Sequence, residues 1–301
     1  MKKRQILLAT LAVLGTVAIV VAVSRSSRQP QADHPRLAPG VAMQDVTFFS
    51  AALNRQMPYR VFLPEKLIPG QKLPVVYLLH GGGGSYRDWS NGTNVAGYAA
   101  PRAGSGGMIL VMPDGGDTSC YMNSAEKPED RFEDYLVHDL IADVEARFPA
   151  ATGRENRAFA GVSMGGFAAV KLALSRPELF VFAGAISPAV NVTERPFRLS
   201  RVAQWWKLRS VFGPWNSQAR RDDDPFLLVQ SANPAATPYI YLTAGEQEIL
   251  LEPNRRFAAL LEERGFSHEF HTKPGGHDRD QWQSQLPGCF ESLLVHLKPT
   301  H

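Results

Sequence analysis

Cysteine is nearly absent: two residues in 301, Cys120 and Cys289. Two thiols this far apart form neither a metal-ligand pair nor a redox pair, and they are too few for a disulfide framework. There is no His/Cys cluster, no phosphate-binding loop and no dinucleotide fingerprint, so no metal and no cofactor is implied. A charge excess of one sign is also missing. The formal net charge is +3, but residues 1–40 carry six basic residues against Asp33, leaving 26 basic and 28 acidic residues in 41–301. A domain so balanced has no electrostatic footprint for nucleic acid. With 44% hydrophobic and 20% charged residues the chain is not a disordered one.

Long apolar runs are lacking too, with one exception. After Lys2, Lys3 and Arg4, residues Ile6 to Val23 run for 18 positions without a charge. That length lies between a secretory signal core and a membrane span. Residues 1–23 are therefore expected to be an N-terminal signal-anchor or signal peptide, with membrane anchoring through residues 6–23 as one outcome and cleavage as the other. Either places the rest outside the cytoplasm: membrane-anchored, periplasmic or secreted. Residues 24–40 hold Pro30, Pro35 and Pro39 in a polar stretch that cannot bury a core, and read as a linker.

From 41 to 301 short apolar runs alternate with amphipathic segments. Strands are predicted at Val75–Leu79, Met108–Met112, Ala158–Gly161, Val181–Ile186 and Tyr239–Thr243, and helices at 132–147, 164–176, 254–264 and 282–297. In the first helix Phe132, Leu136, Leu140, Val144 and Phe148 recur every fourth residue. This alternation predicts an α/β fold: a mostly parallel central sheet, helices on both faces, and an antiparallel N-terminal start from two strands in 41–63. Residues 190–235, with Trp205, Trp206, Trp215 and the run Arg220-Arg221-Asp222-Asp223-Asp224-Pro225, break the rhythm and are expected as an insertion over the sheet edge.

Gly161-Val162-Ser163-Met164-Gly165 fits the G-x-S-x-G pattern, with a predicted strand before it and a helix after it. That setting presents a serine on a sharp strand-to-helix turn, where only glycine fits two residues either side. A serine hydroxyl needs a base. Of eight histidines, His277 lies in the turn-rich Lys273-Pro274-Gly275-Gly276-His277-Asp278, directly after the strand-like Phe270-His271-Thr272, where such sheets place active groups. His80 also follows a strand but precedes a glycine run. The third member should be an acid between 163 and 277, just past a strand, and both Glu246 and Glu248 satisfy that. The run Gly81 to Gly84 can bring a backbone N–H close to a ligand oxygen, paired with the N–H of Met164, the residue after the serine.

The ordered segments FFSAALNRQMPYRVFLP, LPVVYLLHGGGGSYRDW, VMPDGG, FEDYLVHDLIADVEARF, GVSMGGFAA, YLTAGEQEILLEPNRRFAALLEERG and KPGGHDRDQW resemble the putative-esterase family of α/β-hydrolases. That family includes esterase D, S-formylglutathione hydrolases, feruloyl and tributyrin esterases, and mycolyltransferases. The resemblance implies an α/β-hydrolase fold over most of 45–297, with Ser163 as nucleophile, His277 as base and Gly82 and Met164 as oxyanion donors. The family's Gly-x-x-Asp-x-Leu-Leu segment aligns with Gly245 to Leu251, which selects Glu248 as the acid, with Glu in place of Asp. An aromatic residue common two positions after the family's histidine is replaced by Arg279.

The expected activity is that of an exported serine carboxylesterase acting through a Ser-His-Glu triad and an acyl-enzyme, on a small-molecule, polysaccharide or lipid ester. The alternatives are acyl transfer to a sugar or lipid acceptor, and a non-catalytic binding module on the same fold. The three tryptophans are candidates for a substrate cleft, and both cysteines are expected to be free thiols.

Overall fold

The structure is a computed structural model that describes residues 32–101, 106–194 and 202–298. The chain divides into two units, 1–34 and 35–301. The apolar run at 6–23, on which the leader was read, lies outside the described residues. No helix among the described residues is long and apolar enough to cross a membrane.

Residues 35–301 are built on one eight-stranded sheet: β1 (Val41–Ser50), β2 (Arg55–Pro64), β3 (Val75–Leu79), β4 (Ile109–Pro113), β5 (Arg157–Val162), β6 (Phe182–Ile186), β7 (Tyr239–Gly245) and β8 (His268–Lys273). Their order across the sheet is β1-β2-β4-β3-β5-β6-β7-β8. The first two pairings are antiparallel and the remaining five parallel. The core strands β3 to β7 read as nearly unbroken apolar runs because helices cover both their faces. Val75, Tyr77 and Leu79 belong to one buried cluster, and Val76 and Leu78 to another on the opposite face.

The first face packs three long helices. The segments Phe132–Asp134, Tyr135–Leu140 and Ile141–Arg147 run on as one helix, whose middle is π-helical. This accounts for the four-residue stripe. A spacing of four outruns the 3.6-residue turn, and the wider π turn brings the stripe back into line, so Phe132, Leu136, Leu140, Val144 and Phe148 are all buried. Met164–Ser175 follows the serine, and Leu251–Glu263 completes this side. The second face is covered by Arg279–His296 and by the short helix Asp88–Gly92, which periodicity could not reveal in five residues.

The segment between β6 and β7 contains the helices Val202–Phe212, Gln218–Asp222 and Pro225–Ser231. It connects two interior strands, β6 and β7. It packs on the helix that follows Ser163: the Phe212 ring meets Phe167 edge-on at 5.8 Å, and Leu208, Val211 and Val229 join the first buried cluster.

Candidate active site

Ser163 sits between β5 and the helix Met164–Ser175 with φ +53° and ψ −108°, a conformation that costs a non-glycine residue about 1–3 kcal/mol. The neighbouring hydrogen bonds impose it. The Ser163 N–H donates to Ile186 O at 2.9 Å, and its carbonyl accepts from Phe167 and Ala189 at 2.9 and 3.0 Å. The flanking glycines are steric necessities. A Cβ on Gly161 would stand 2.3 Å from the Gly165 carbonyl carbon, and one on Gly165 only 2.2 Å from Leu79 O.

The two other candidate side chains come from loops at the same end of the sheet. After β7, the N–H of Glu246 donates to Lys273 O and that of Gln247 to Gly275 O, which laces this loop to the one carrying His277. Gly245 makes the crossing possible, because a Cβ there would lie 2.5 Å from Gly275 O. The carboxylate of Glu248 is wholly buried. One oxygen accepts the Gly245 N–H at 2.9 Å and the other lies 2.7 Å from His277 Nδ1. A carboxylate accepts only, so Nδ1 carries the proton and Nε2 accepts the Ser163 hydroxyl at 2.9 Å. Glu246 is exposed and takes no part. The longer acid is accommodated by the turn at 245–248, in which Glu248 bonds back to the start of its own loop.

His80 has a place that its sequence position did not disclose. It is buried; its Nδ1–H donates to Gly81 O at 2.8 Å, and its Nε2 accepts the Gly115 N–H at 2.9 Å. Its own N–H donates to the Tyr121 hydroxyl at 2.8 Å, a phenol that burial pushes well above its ordinary pKa and so keeps neutral. The adjoining Gly83 N–H donates to Asp117 O at 2.7 Å. These bonds hold the glycine loop beside the serine: a Cβ on Gly81 would lie 3.6 Å from Ser163 Cβ. The N–H groups of Gly82 and Met164 have no protein acceptor among the described residues.

Two cavities meet at this loop. One of about 100 Å³ lies on the Ser163 side, bordered by Met164, Phe167, Val192, Gln204, Lys207 and Leu208, with Gly82 at its rim. The insertion thus contributes Gln204, Lys207 and Leu208. The three tryptophans do not border it, and Trp206 and Trp215 are more than half exposed. Lys207 is held over this pocket by Asp117 Oδ2 at 2.5 Å. The other cavity, about 380 Å³, lies on the His277 side between Gly81–Gly84, Trp89, Arg279 and Trp282.

A strained serine after a parallel strand, bonded to a histidine that is oriented by a buried carboxylate, defines an α/β-hydrolase of the serine-hydrolase type. Residues 50–293 match the family described as "Putative esterase", and the chain belongs to that family. It is similar to the acetyl esterase of Caldicellulosiruptor saccharolyticus, 27% identical over 266 residues, covering 83% of this chain and 97% of that protein. It is also similar to an esterase of Mycobacterium tuberculosis, 30% identical over 277 residues, 84% of this chain but only 59% of that longer protein. Among solved structures, the fluorophosphonate-binding serine hydrolase FphF of Staphylococcus aureus superimposes with a TM-score of 0.72, at 22% identity over 84% of this chain and 98% of that one. MPT51 of Mycobacterium tuberculosis gives 0.70, at 18% identity over 85% and 99%. The last two likenesses establish the fold. Family and relatives together make the chain a carboxylic ester hydrolase.

Proposed function

We propose that the chain is an exported serine esterase that cleaves short-acyl esters through a Ser163-His277-Glu248 triad and an acyl-enzyme. The observation that carries this reading is the continuous hydrogen-bonded chain from Glu248 Oε2 through His277 to Ser163 Oγ, 2.7 and 2.9 Å per link, at the mouth of the 100 Å³ pocket. Ser163 Oγ attacks the ester carbonyl carbon while His277 Nε2 takes its proton. The N–H groups of Gly82 and Met164 hold the oxyanion. The C–O bond to the alcohol then breaks, and His277 returns the proton to the leaving oxygen. Water, deprotonated by the same Nε2, attacks the acyl carbon and releases the acid, and Ser163 regains its proton. Glu248 stabilises the imidazolium throughout.

The pocket beside Ser163 has room for a short acyl chain and is closed by Phe167, Val192 and Leu208. The acetyl esterase relative agrees with that size. The basic N-terminus and the apolar run at 6–23 support export. The test is labelling with a fluorophosphonate together with turnover of p-nitrophenyl esters from acetyl to palmitoyl. The expected result is labelling of wild type but not of Ser163→Ala, with the highest kcat/KM on the shortest esters. Labelling that persists in Ser163→Ala overturns the nucleophile, and a preference for long chains overturns the acyl assignment. Product analysis with an added alcohol separates hydrolysis from acyl transfer.

A further inference from the structure

Resting on the esterase reading, we infer that the pocket beside Ser163 continues past Lys207 into a polar cavity of about 270 Å³. This cavity receives the far carboxylate of an acyl group, so that monoesters of short dicarboxylic acids are substrates. Thr118 and Lys207 border both spaces. The helix Val202–Phe212 runs along the two: Gln204 and Leu208 border the pocket, Ser210 and Val211 the polar cavity, and Lys207 stands between them. The far end is tied to the same helix. The N–H groups of Ala125 and Glu126 donate to Val211 O and Ser210 O at 2.8 and 3.1 Å, and the Ser124 hydroxyl donates to Ser210 O at 2.7 Å.

The lining gives the class of ligand. Arg55, Lys127 and Lys207 border this cavity against Asp117 and Asp130, an excess of one positive charge. Asp117 holds Lys207 at 2.5 Å and Asp130 holds Arg55 at 3.4 Å. Lys127 has no carboxylate within ion-pair distance among the described residues. At the passage between the two spaces, the Thr118 hydroxyl and N–H have no protein partner among the described residues. An uncharged alkyl chain gains nothing by passing here, because it would strip water from Lys207 and Asp117 without replacing those hydrogen bonds. A chain that ends in a carboxylate meets ammonium groups instead, and such charge-assisted bonds are the stronger kind. Its methylenes find apolar surface on Met122, Val211 and Phe132, whose ring lies 5.1 Å from the Arg55 guanidinium carbon. The same wall thus disfavours long uncharged acyl groups and admits anionic ones.

The experiment measures ethanol release from monoethyl succinate, glutarate and adipate, and from ethyl butanoate, pentanoate and hexanoate, their uncharged counterparts of equal acyl length. The enzymes are wild type, Lys127→Ala, Lys207→Ala, Lys207→Arg and Arg264→Ala. Each ratio of kcat/KM is taken on one preparation, so partial loss of folded protein cancels. Wild type is expected to favour the monoester at least about fivefold at one chain length, the size that exposed ion pairs reach. Lys127→Ala and Lys207→Ala should each cut that ratio about threefold or more, chiefly through KM. Lys207→Arg should keep the preference. The exposed Arg264→Ala, which borders neither space, should leave it unchanged. Raising salt from about 0.02 to about 0.5 M should shrink the wild-type ratio, because ions screen such pairs; a structural role of the lysines would give no such dependence. A wild-type ratio below about twofold at every length overturns the inference, and a preference that survives both lysine-to-alanine changes overturns this cavity as its seat. Failure of wild type to turn over ethyl acetate as well as these esters would instead overturn the esterase reading, a result distinct from both.

Discussion

Lys171 and Asp223 meet at 3.1 Å inside the protein, their side chains 6% and 13% exposed. Lys171 lies on the helix that Ser163 begins, and Asp223 lies in the segment between β6 and β7. Lys171 also reaches Glu133 at 2.5 Å. One buried ammonium therefore ties the inserted segment, whose Gln204, Lys207 and Leu208 wall the small pocket, to the helix behind Ser163. A cation buried this far needs both carboxylates, since breaking such a pair by removing one partner costs about 3–5 kcal/mol.

Burial lifts the Asp223 carboxyl from its ordinary 3.8 to about 6, with Lys171 acting against the shift. A raised carboxylate means that the folded chain holds a proton which the unfolded chain releases between those values. The stability from this group is fully present below 3.8 and lost as pH rises through about 6. The span is on the order of 2–3 kcal/mol. Asp223→Asn should remove that slope. Urea midpoints of wild type and variant at pH 4, 5, 6 and 7 give the difference, which should change steadily up to about pH 6 and then level off. A difference curve flat over pH 4–6 would show that Asp223 is already ionised in the fold.

Glu248→Gln should lower kcat by at least about 100-fold, because an amide cannot stabilise the imidazolium and sets the wrong tautomer. Glu246→Gln, two residues away and exposed, should stay within about threefold, as surface changes do. Steady-state kinetics on p-nitrophenyl acetate decide this, and a reversal of the two effects would move the acid to Glu246.

His80→Ala should lower kcat about tenfold or more while changing KM less than about threefold. The ring clamps Gly81 O and the Gly115 N–H, so its loss loosens the loop that presents the Gly82 N–H, and oxyanion donors act in the transition state rather than on the bound ester. The acid limb of the kcat/KM profile, set by the base, should not move. A shifted limb would mean that His80 exchanges protons with the substrate and is more than a positioning residue.

The elements legible in the sequence are those with strong local signals. G-x-S-x-G between a strand and a helix, a histidine in a glycine turn after a strand, and an acid after the preceding strand each stand in a few consecutive residues. Glu248 needed more: residue reading left Glu246 equally eligible, and the family pattern chose between them. What stayed hidden depends on contacts distant in sequence. His80 looked like a discarded base because Gly115 and Tyr121, which explain it, lie 35 and 41 residues away. The helix Asp88–Gly92 is too short for periodicity. Helical spacing in 202–212 could not show that Leu208, rather than the neighbouring tryptophans, turns toward Ser163.

The two cysteines show the same limit. Either side of the sheet was open to them from sequence, and the structure sets them on opposite faces, Cys120 in the cluster beneath the helix after Ser163 and Cys289 in the cluster under Arg279–His296. With the sheet between them they cannot approach to the roughly 7 Å between Cα atoms that a bridge requires; neither is in a disulfide and both are buried. Burial also pushes the Cys289 thiol up to about 12, so almost no thiolate is present at neutral pH and it should resist alkylation in the fold. Thiol titration of the denatured, non-reduced protein is expected to find two groups. In the folded protein at pH 7 Cys289 should react only as fast as the chain unfolds, a rate that added denaturant raises in step with unfolding. Finding no titratable thiol after denaturation would mean a bridge and therefore a different packing of Arg279–His296. Rapid labelling of Cys289 in the native state would mean that this helix opens on its own, which would carry Arg279 away from the larger cavity.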